Sequence, residues 1–309
     1  MLKFLPILMV RFSEIAIKSS NTRKWLTDRL VSHINFVLKK QGIDDFEIIK
    51  EYSRIYIKSS ENDRVLHLIS ALVPGTISVS KAFVCSSKLD EIKLCVQEKF
   101  FHKFDKNTSF SVKARRTGKH PFTSVELGAI IGEFILENNK EKELEVNLTN
   151  PDYTLFIEVR ESKTYVFDET ERGLGGLSVG SQGKVLVLLS GEEEDLSNII
   201  QLYKRGAITL VYSSQKETEM KSDFKQSVIK ILNLQPQLKN KEIFFVKDHF
   251  EIYSLLEYYK KNECLGLAIS KKLFKKFENT IPVTVPTFVP HLASEIDKDE
   301  ISRLLTTIT

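Results

Sequence analysis

Cysteine is scarce in this chain of 309 residues. There are three, Cys85, Cys95 and Cys264, and no two form a Cys-x-x-Cys pair. That excludes a disulfide framework and an all-cysteine zinc site. It suits a reducing compartment, so a cytoplasmic location is expected. Glycine (13) and proline (8) are too few for a collagen-like or low-complexity chain, and hydrophobic residues at 42% are too many for a disordered one. No apolar run approaches the roughly 20 residues that cross a bilayer. The apolar start, residues 4–10, reads as a first β-strand, and no contact with a membrane is expected. Acid is missing where base is concentrated. Residues 106–125 hold no Asp or Glu, but they include Lys106, Lys113, Arg115, Arg116 and Lys119. Residues 1–75 carry 12 basic and 8 acidic groups, which accounts for the whole net charge of +4. An anionic partner would meet the first half of the chain.

The length predicts two or three domains. Residues 1–75 read strand, helix, two paired strands, helix. The first helix, over residues 21–40, carries Trp25, Leu26, Leu30, His33, Ile34, Val37 and Leu38 at helical spacing, with Asn21 or Thr22 as its cap. A short helix over 64–72 is ended by Pro74-Gly75. This is the pattern of a small ferredoxin-like α+β unit. Residues 76–172 predict a helix over 90–104, a strand over 109–115, a helix capped by Thr123 or Ser124 with Glu126 in its first turn, and a hairpin over 154–167. From residue 173 to 309 the pattern changes. A glycine-rich stretch, 173–184, leads into the apolar run 185–189. Further runs at 208–212, 243–246 and 264–269 alternate with amphipathic stretches. Such alternation predicts a doubly wound parallel sheet with helices on both faces. The fold class is therefore mixed, α+β followed by α/β.

Two segments carry chemistry. Lys113 and Arg115 fall two apart on one face of a strand, with Arg116 just after. Lys119 and His120 project from the turn before a capped helix, where Thr123 and Ser124 hydroxyls add donors. Cations beside free helix N–H groups make a phosphate cradle. His120 has no partner at metal-ligand spacing, so no metal site is expected. The second segment is strand, Ser-Gly turn, helix, a usual place for phosphate binding in an α/β domain. Here, however, the turn runs into Glu192, Glu193, Glu194 and Asp195. Four carboxylates at a helix start complement its dipole themselves and repel a polyphosphate unless metal ions intervene. The glycines of 173–183 precede a strand rather than follow one, which marks a linker, not a dinucleotide loop. Cys264 opens an apolar strand and reads as a buried, inert thiol.

Four strings, in order, resemble one family. Arg11-Phe-Ser-Glu-Ile-Ala-Ile-Lys18 with Asn21-Thr-Arg23 is similar to the opening motif of the tRNA 4-thiouridine synthetases, the tRNA sulfurtransferases also linked to thiamine biosynthesis. Phe110 to Ser124 resembles the core of their THUMP domain, and Asn147-Leu-Thr-Asn-Pro-Asp152 continues it. Gly175 to Lys184 resembles their linker into the catalytic domain. The resemblance implies a ferredoxin-like domain at 1–75, a THUMP domain at 76–172 and a PP-loop ATP-pyrophosphatase-like domain at 173–309. It implies tRNA as partner, bound at the 3′ acceptor end, and a homodimer. The residues it assigns to RNA are Arg11, Lys18, Arg23, Lys113, Arg115, Arg116, Lys119, His120, Thr123 and Ser124. The family's Ser-Gly-Gly-x-Asp-Ser loop falls on Ser190 to Asp195, and only Ser190 and Gly191 remain of it. Leu188, Leu189, Ser190 and Gly191 are thus a vestige of the nucleotide loop. The motif Thr-Gly-Glu-x-x-Gly-Gln falls on 269–275 and is almost wholly lost, and the sulfur-carrying cysteine has no counterpart. Two readings stay open. In one the chain is a non-catalytic tRNA-binding protein without a cofactor, an adaptor for a catalytically active partner subunit. In the other it is an ATP-dependent sulfurtransferase whose acidic loop holds Mg·ATP.

Overall fold

The computed structural model describes residues 4–12, 19–51, 53–238, 241–246, 250–290 and 298–308. In chain order the elements are β1 (Pro6–Arg11), α1 (Ser20–Lys40), β2 (Phe46–Lys50), β3 (Ile55–Ser59), α2 (Asn62–Leu72), β4 (Ser78–Ser86), α3 (Leu89–Phe100), β5 (Ser109–Thr117), α4 (Ser124–Glu137), β6 (Glu145–Val146), β7 (Tyr153–Arg160) and β8 (Lys163–Phe167). After the short β9 (Glu171–Arg172) follow β10 (Lys184–Leu189), α5 (Glu193–Lys204), β11 (Ile208–Ser213), α6 (Ser222–Asn233), α7 (Ile252–Lys261), β12 (Gly266–Ile269), α8 (Lys271–Phe277), β13 (Thr287–Phe288) and α9 (Lys298–Thr307). The chain divides into two compact units that interleave in sequence. The first is made of 1–10, 45–66 and 79–171, the second of 11–44, 67–78 and 172–309.

The first unit is one sheet, ordered β2-β3-β1-β4-β8-β7-β5-β6. Alternation along β5 sends Phe110, Val112 and Ala114 to one face, where they pack with Ile92, Val96 and Phe100 of α3 and Leu127, Ile131 and Ile135 of α4. The sheet does not stay open. Tyr56 of β3 stacks on Tyr165 of β8 at 4.7 Å, although β1 and β4 lie between those strands. Three strand spacings would hold them about 14 Å apart in a flat sheet, so the right-handed twist has curled it until its other face meets itself. Glu158 fastens the curl, accepting from Arg54 at 3.4 Å and from Arg160 at 3.3 Å. Arg160 also donates to Ser53 at 3.0 Å.

The second unit holds a parallel sheet, ordered β11-β10-β12-β13. Residues 185–189 of β10 are all buried, as a strand covered on both faces must be. Leu186 and Leu188 pack with Leu255 of α7 and Leu273 of α8, while α5 packs with α6 and α9. Two details differ from the sequence expectation. Residues 243–246 form no strand; a single bridge, Phe244 beside Tyr212, is all that joins them to the sheet edge. Helix α1 starts earlier, with Ser19 at its N-cap position in place of Asn21 or Thr22. Among the described residues no helix is long and apolar enough to cross a membrane.

The glycine-rich stretch is built into this second unit. Gly75 N donates to Gly175 O and Gly175 N to Thr76 O, both at 2.7 Å, and Leu177 N donates to Lys204 O at 2.9 Å. Ser178 Oγ donates to Leu26 O at 3.1 Å. Gly176 has φ +73°, and a Cβ there would stand 2.0 Å from Lys204 O, closer than any side chain tolerates. Backbone held this way cannot enter a protease cleft without local unfolding. Limited trypsin proteolysis of the native chain is therefore expected to spare Lys184 and all of 173–184 in its first cuts. Early release of a fragment ending there would show a loose tether.

Candidate nucleic-acid interface

The basic strand and the helix after it are held rigidly. Lys113 and Arg115 stand exposed on the face of β5 opposite α4, with Arg116 and Thr117 exposed at its end. The turn back into α4 is shaped locally. Arg116 Nη1 donates to Gly118 O at 2.9 Å, Gly118 has φ +90°, and His120 Nε2 meets Thr117 O at 2.9 Å. His120 stacks on Phe122, ring centroids 5.7 Å apart. Of the two caps the sequence allowed, Thr123 is used. Its hydroxyl accepts from Glu126 N at 3.2 Å, and the Glu126 carboxylate accepts from Thr123 N at 2.7 Å. The Thr123 backbone N–H and then the Thr123 side chain, more than the nearby Arg116, hold the Glu126 carboxyl below the usual carboxylate range. Ser124 N opens the helix beside Thr123.

Lys113, Arg115, Arg116, Lys119, His120, Thr123 and Ser124 thus gather at one end of β5 in the first unit. Arg11 and Arg23 belong to the second unit, where Arg11 Nη1 reaches Ser78 Oγ at 3.5 Å. Lys18 lies outside the described residues. Sequence reasoning missed the Arg54–Glu158–Arg160 cluster. Arg115 pairs in register with Glu158, which adds two more guanidinium groups to the neighbourhood of the basic strand. The signal was absent from the sequence, because Arg54 and Glu158 are 104 positions apart.

In the second unit the turn after β10, where the sequence expects a vestigial loop, closes on itself. After Leu188 and Leu189 of β10, Gly191 turns the chain with φ +86° and Glu192 takes the N-cap position of α5. The Asp195 carboxylate, fully buried, folds back beneath this turn. Its Oδ2 accepts from Ser190 N at 2.7 Å, Gly191 N at 2.9 Å and Glu192 N at 3.3 Å, and Ser190 Oγ donates to it at 3.1 Å. Burial drives its pKa up to about 6, and those hydrogen bonds restrain the rise. The preceding acid holds the start of another helix. Glu194 Oε1 accepts from Lys271 N, the first residue of α8, at 3.0 Å. Glu192 pairs with Lys272 at 3.5 Å. Backbone donors aimed at the crevice beyond β10 and β12 are therefore already held by the chain's own carboxylates. Among the described residues no group of His, Cys, Asp and Glu could hold a metal ion. Cys264 is buried, and desolvation pushes its thiol up to about 11, which leaves it protonated and unreactive at neutral pH.

Residues 7–80 match the ThiI ferredoxin-like domain and residues 86–169 match the THUMP domain. A probable tRNA sulfurtransferase of Methanosarcina acetivorans is 34% identical over 209 residues, which are 67% of this chain and 50% of that one. A relative of the same description from Methanocaldococcus jannaschii is 29% identical over 277 residues, 88% of this chain and 72% of that one. The chain spans about half the length of most of the curated relatives it matches. PH1313 from Pyrococcus horikoshii superposes with a TM-score of 0.74 at 23% identity, covering 96% of this chain and 97% of that one. A 4-thiouridine synthetase solved in complex with RNA and ATP superposes with a TM-score of 0.68 at 24% identity, covering 98% and 85%. At those identities the two structures establish a shared fold.

Proposed function

The chain belongs to the tRNA sulfurtransferase family through its ferredoxin-like and THUMP domains, and from that premise we propose that it binds tRNA without performing the ATP-dependent step. The observation that carries the binding is the exposed basic end of β5, free of acid from residue 106 to 125 and turned into a capped helix start. Cations on a strand edge meet backbone phosphates, and a helix N-terminus adds N–H donors to the same anion. Lys113, Arg115, Arg116, Lys119, His120, Thr123 and Ser124 form this surface, and Arg11, Lys18 and Arg23 of the ferredoxin-like domain are separate proposed RNA contacts. An RNA reader with such a surface works on shape, phosphates and unpaired ends, which fits the 3′ acceptor end of tRNA. We further propose domain boundaries at residues 75 and 172, a homodimer and a cytoplasmic location.

The loss of the ATP step is supported by Asp195. ATP would present its pyrophosphate to the N–H groups of Ser190, Gly191 and Glu192, and those groups already hold a carboxylate. The residues present do not fit the nucleotide. Chemistry on the bound tRNA then falls to a catalytically active partner subunit.

Replacing Lys113, Arg115 and Arg116 together by Ala tests the binding. Three lost phosphate contacts should lower the slope of log K against log salt by about 2–3 units, at roughly 0.7–0.9 per phosphate. Circular dichroism should be unchanged, since exposed charges contribute little to folding stability. Unaltered affinity and slope for tRNA would move the site elsewhere.

A further inference from the structure

The chain has one tryptophan, and it is not in a core. Trp25 lies in the second turn of α1 with 45% of its surface exposed. Indole is the largest apolar side chain and is usually well buried, so half-exposing it leaves a favourable contact unmade in the free protein. The ring is also fixed in place. The guanidinium of Arg29, one helical turn on, lies over it at 4.6 Å from the ring centre. Arg29 is itself seated against the ordered stretch, its Nη1 standing 2.6 Å from where a Cβ on Gly180 would be. A side chain at that position would collide with it, so the glycine leaves room for the arginine.

The charge around the ring selects the partner. The N-terminal half of α1, around Trp25, carries Arg23, Lys24 and Arg29 against a single acid, Asp28, and its first turn has no acid at all. A flat aromatic face set among cations attracts an anionic polymer that also has flat faces to offer. Unpaired nucleotides match on both counts: their phosphates meet the cations and their bases stack on the indole. Bases inside a duplex are already stacked and cannot reach it. Resting on the tRNA-binding reading above, we infer that Trp25, backed by Arg29, is a stacking platform for one unpaired base of the bound RNA. The guanidinium holds the indole from one side and the base covers it from the other.

Because Trp25 is the sole tryptophan, its fluorescence excited at 295 nm reports this position alone. The full chain is titrated with tRNA and, separately, with a short single-stranded oligoribonucleotide. RNA binding is followed in parallel by the anisotropy of end-labelled RNA. Saturable quenching with the same midpoint as the anisotropy, and protection of the indole from acrylamide in the complex, are expected. Trp25→Phe should retain affinity within about 3-fold, because a phenyl ring still stacks. Trp25→Ala should weaken binding by roughly 5- to 150-fold, the range for losing one base–aromatic stack. If anisotropy shows tight RNA binding while the fluorescence, the acrylamide accessibility and the affinity of Trp25→Ala are unchanged, the platform is wrong and the tRNA reading stands. If the RNA does not bind at all, both fall. The wild-type fluorescence needs no variant, so a misfolded Trp25→Ala protein would not remove the test.

Discussion

Titrated with Mg·ATP in the presence of tRNA, the chain is expected to show no saturable binding below about 1 mM, weaker than about 4 kcal/mol of binding free energy. Pyrophosphate release should not exceed background. The reason is both steric and electrostatic, and of the four carboxylates that the sequence places in the loop its centre is Asp195. A PP-loop works because several backbone N–H groups converge on a phosphate oxygen. Here they converge on Asp195 Oδ2, with Ser190 Oγ added. An incoming phosphate must expel a carboxylate that has no solvent to receive it, or bind beside it. Each neighbouring carboxylate, among them Glu192, Glu193 and Glu194, adds repulsion of about 1 kcal/mol at 4 Å even in water. About 1.4 kcal/mol is tenfold in affinity, so a few such terms carry binding out of the useful range. Millimolar Mg²⁺ belongs in the titration because a bridging cation would reverse the sign. Replacing Glu192 by Gly, Glu194 by Asp and Asp195 by Ser together frees the N–H groups and removes two of the four carboxylates. Some ATP binding should then appear if the rest of the crevice is sound. Micromolar affinity in the unaltered protein, lost on Ser190→Ala, would overturn the proposal and restore the sulfurtransferase reading.

How much of this the sequence carries depends on the range of the interaction. Alternation along 110–116 marks β5 and the face its lysine and arginine take, because side-chain direction in a strand is a local property. Thr123 and Glu126, three apart, mark the start of α4 for the same reason. The acidic loop is legible as composition, four carboxylates where small residues belong. Its geometry is not, since which carboxylate turns inward is decided by a rotamer and by backbone donors five residues back. The strand expected over 243–246 fails because an apolar run says only that residues are buried. Ile243 and Val246 are buried without a ladder, while Phe244 stays 46% exposed and lays its ring against Tyr212 and Tyr258, with centroids at 5.0 and 4.8 Å. The curl of the first sheet is the least legible feature. It rests on Tyr56 with Tyr165 and Arg54 with Glu158, pairs more than 100 positions apart that no local pattern connects.

Acidification should reveal two buried groups in the second unit that act in opposite directions. His33 on α1 is completely buried. Its Nε2 lies 2.9 Å from Leu234 O and 3.2 Å from Tyr203 Oη, and because a carbonyl only accepts, the ring carries its proton on Nε2. Nδ1 has no hydrogen-bond partner among the described residues, so a second proton would place an unsolvated charge in the core. Desolvation accordingly lowers the His33 pKa from 6.5 to about 4, against the opposing pull of Leu234 O. The folded state prefers the neutral ring. Its stabilisation is complete above pH 6.5 and is lost as pH falls towards 4, at a cost of about 3 kcal/mol. Asp195 runs the other way. Its pKa is raised from 3.8 to about 6, so the folded state prefers the protonated acid. That stabilisation is complete below pH 3.8 and is lost as pH rises through 6, also by about 3 kcal/mol. Between pH 7 and pH 4 the two contributions nearly cancel in the natural chain, and removing either one exposes the other. Urea unfolding at the two pH values should therefore find that Asp195→Asn loses about 3 kcal/mol more than wild type on acidification. His33→Gln, which keeps a donor for Leu234 O, should lose about 3 kcal/mol less. Equal pH dependence in all three proteins would mean that neither group is held in its disfavoured charge state. A carboxyl carbon resonance titrating near pH 6, absent from Asp195→Asn, would assign the second contribution directly.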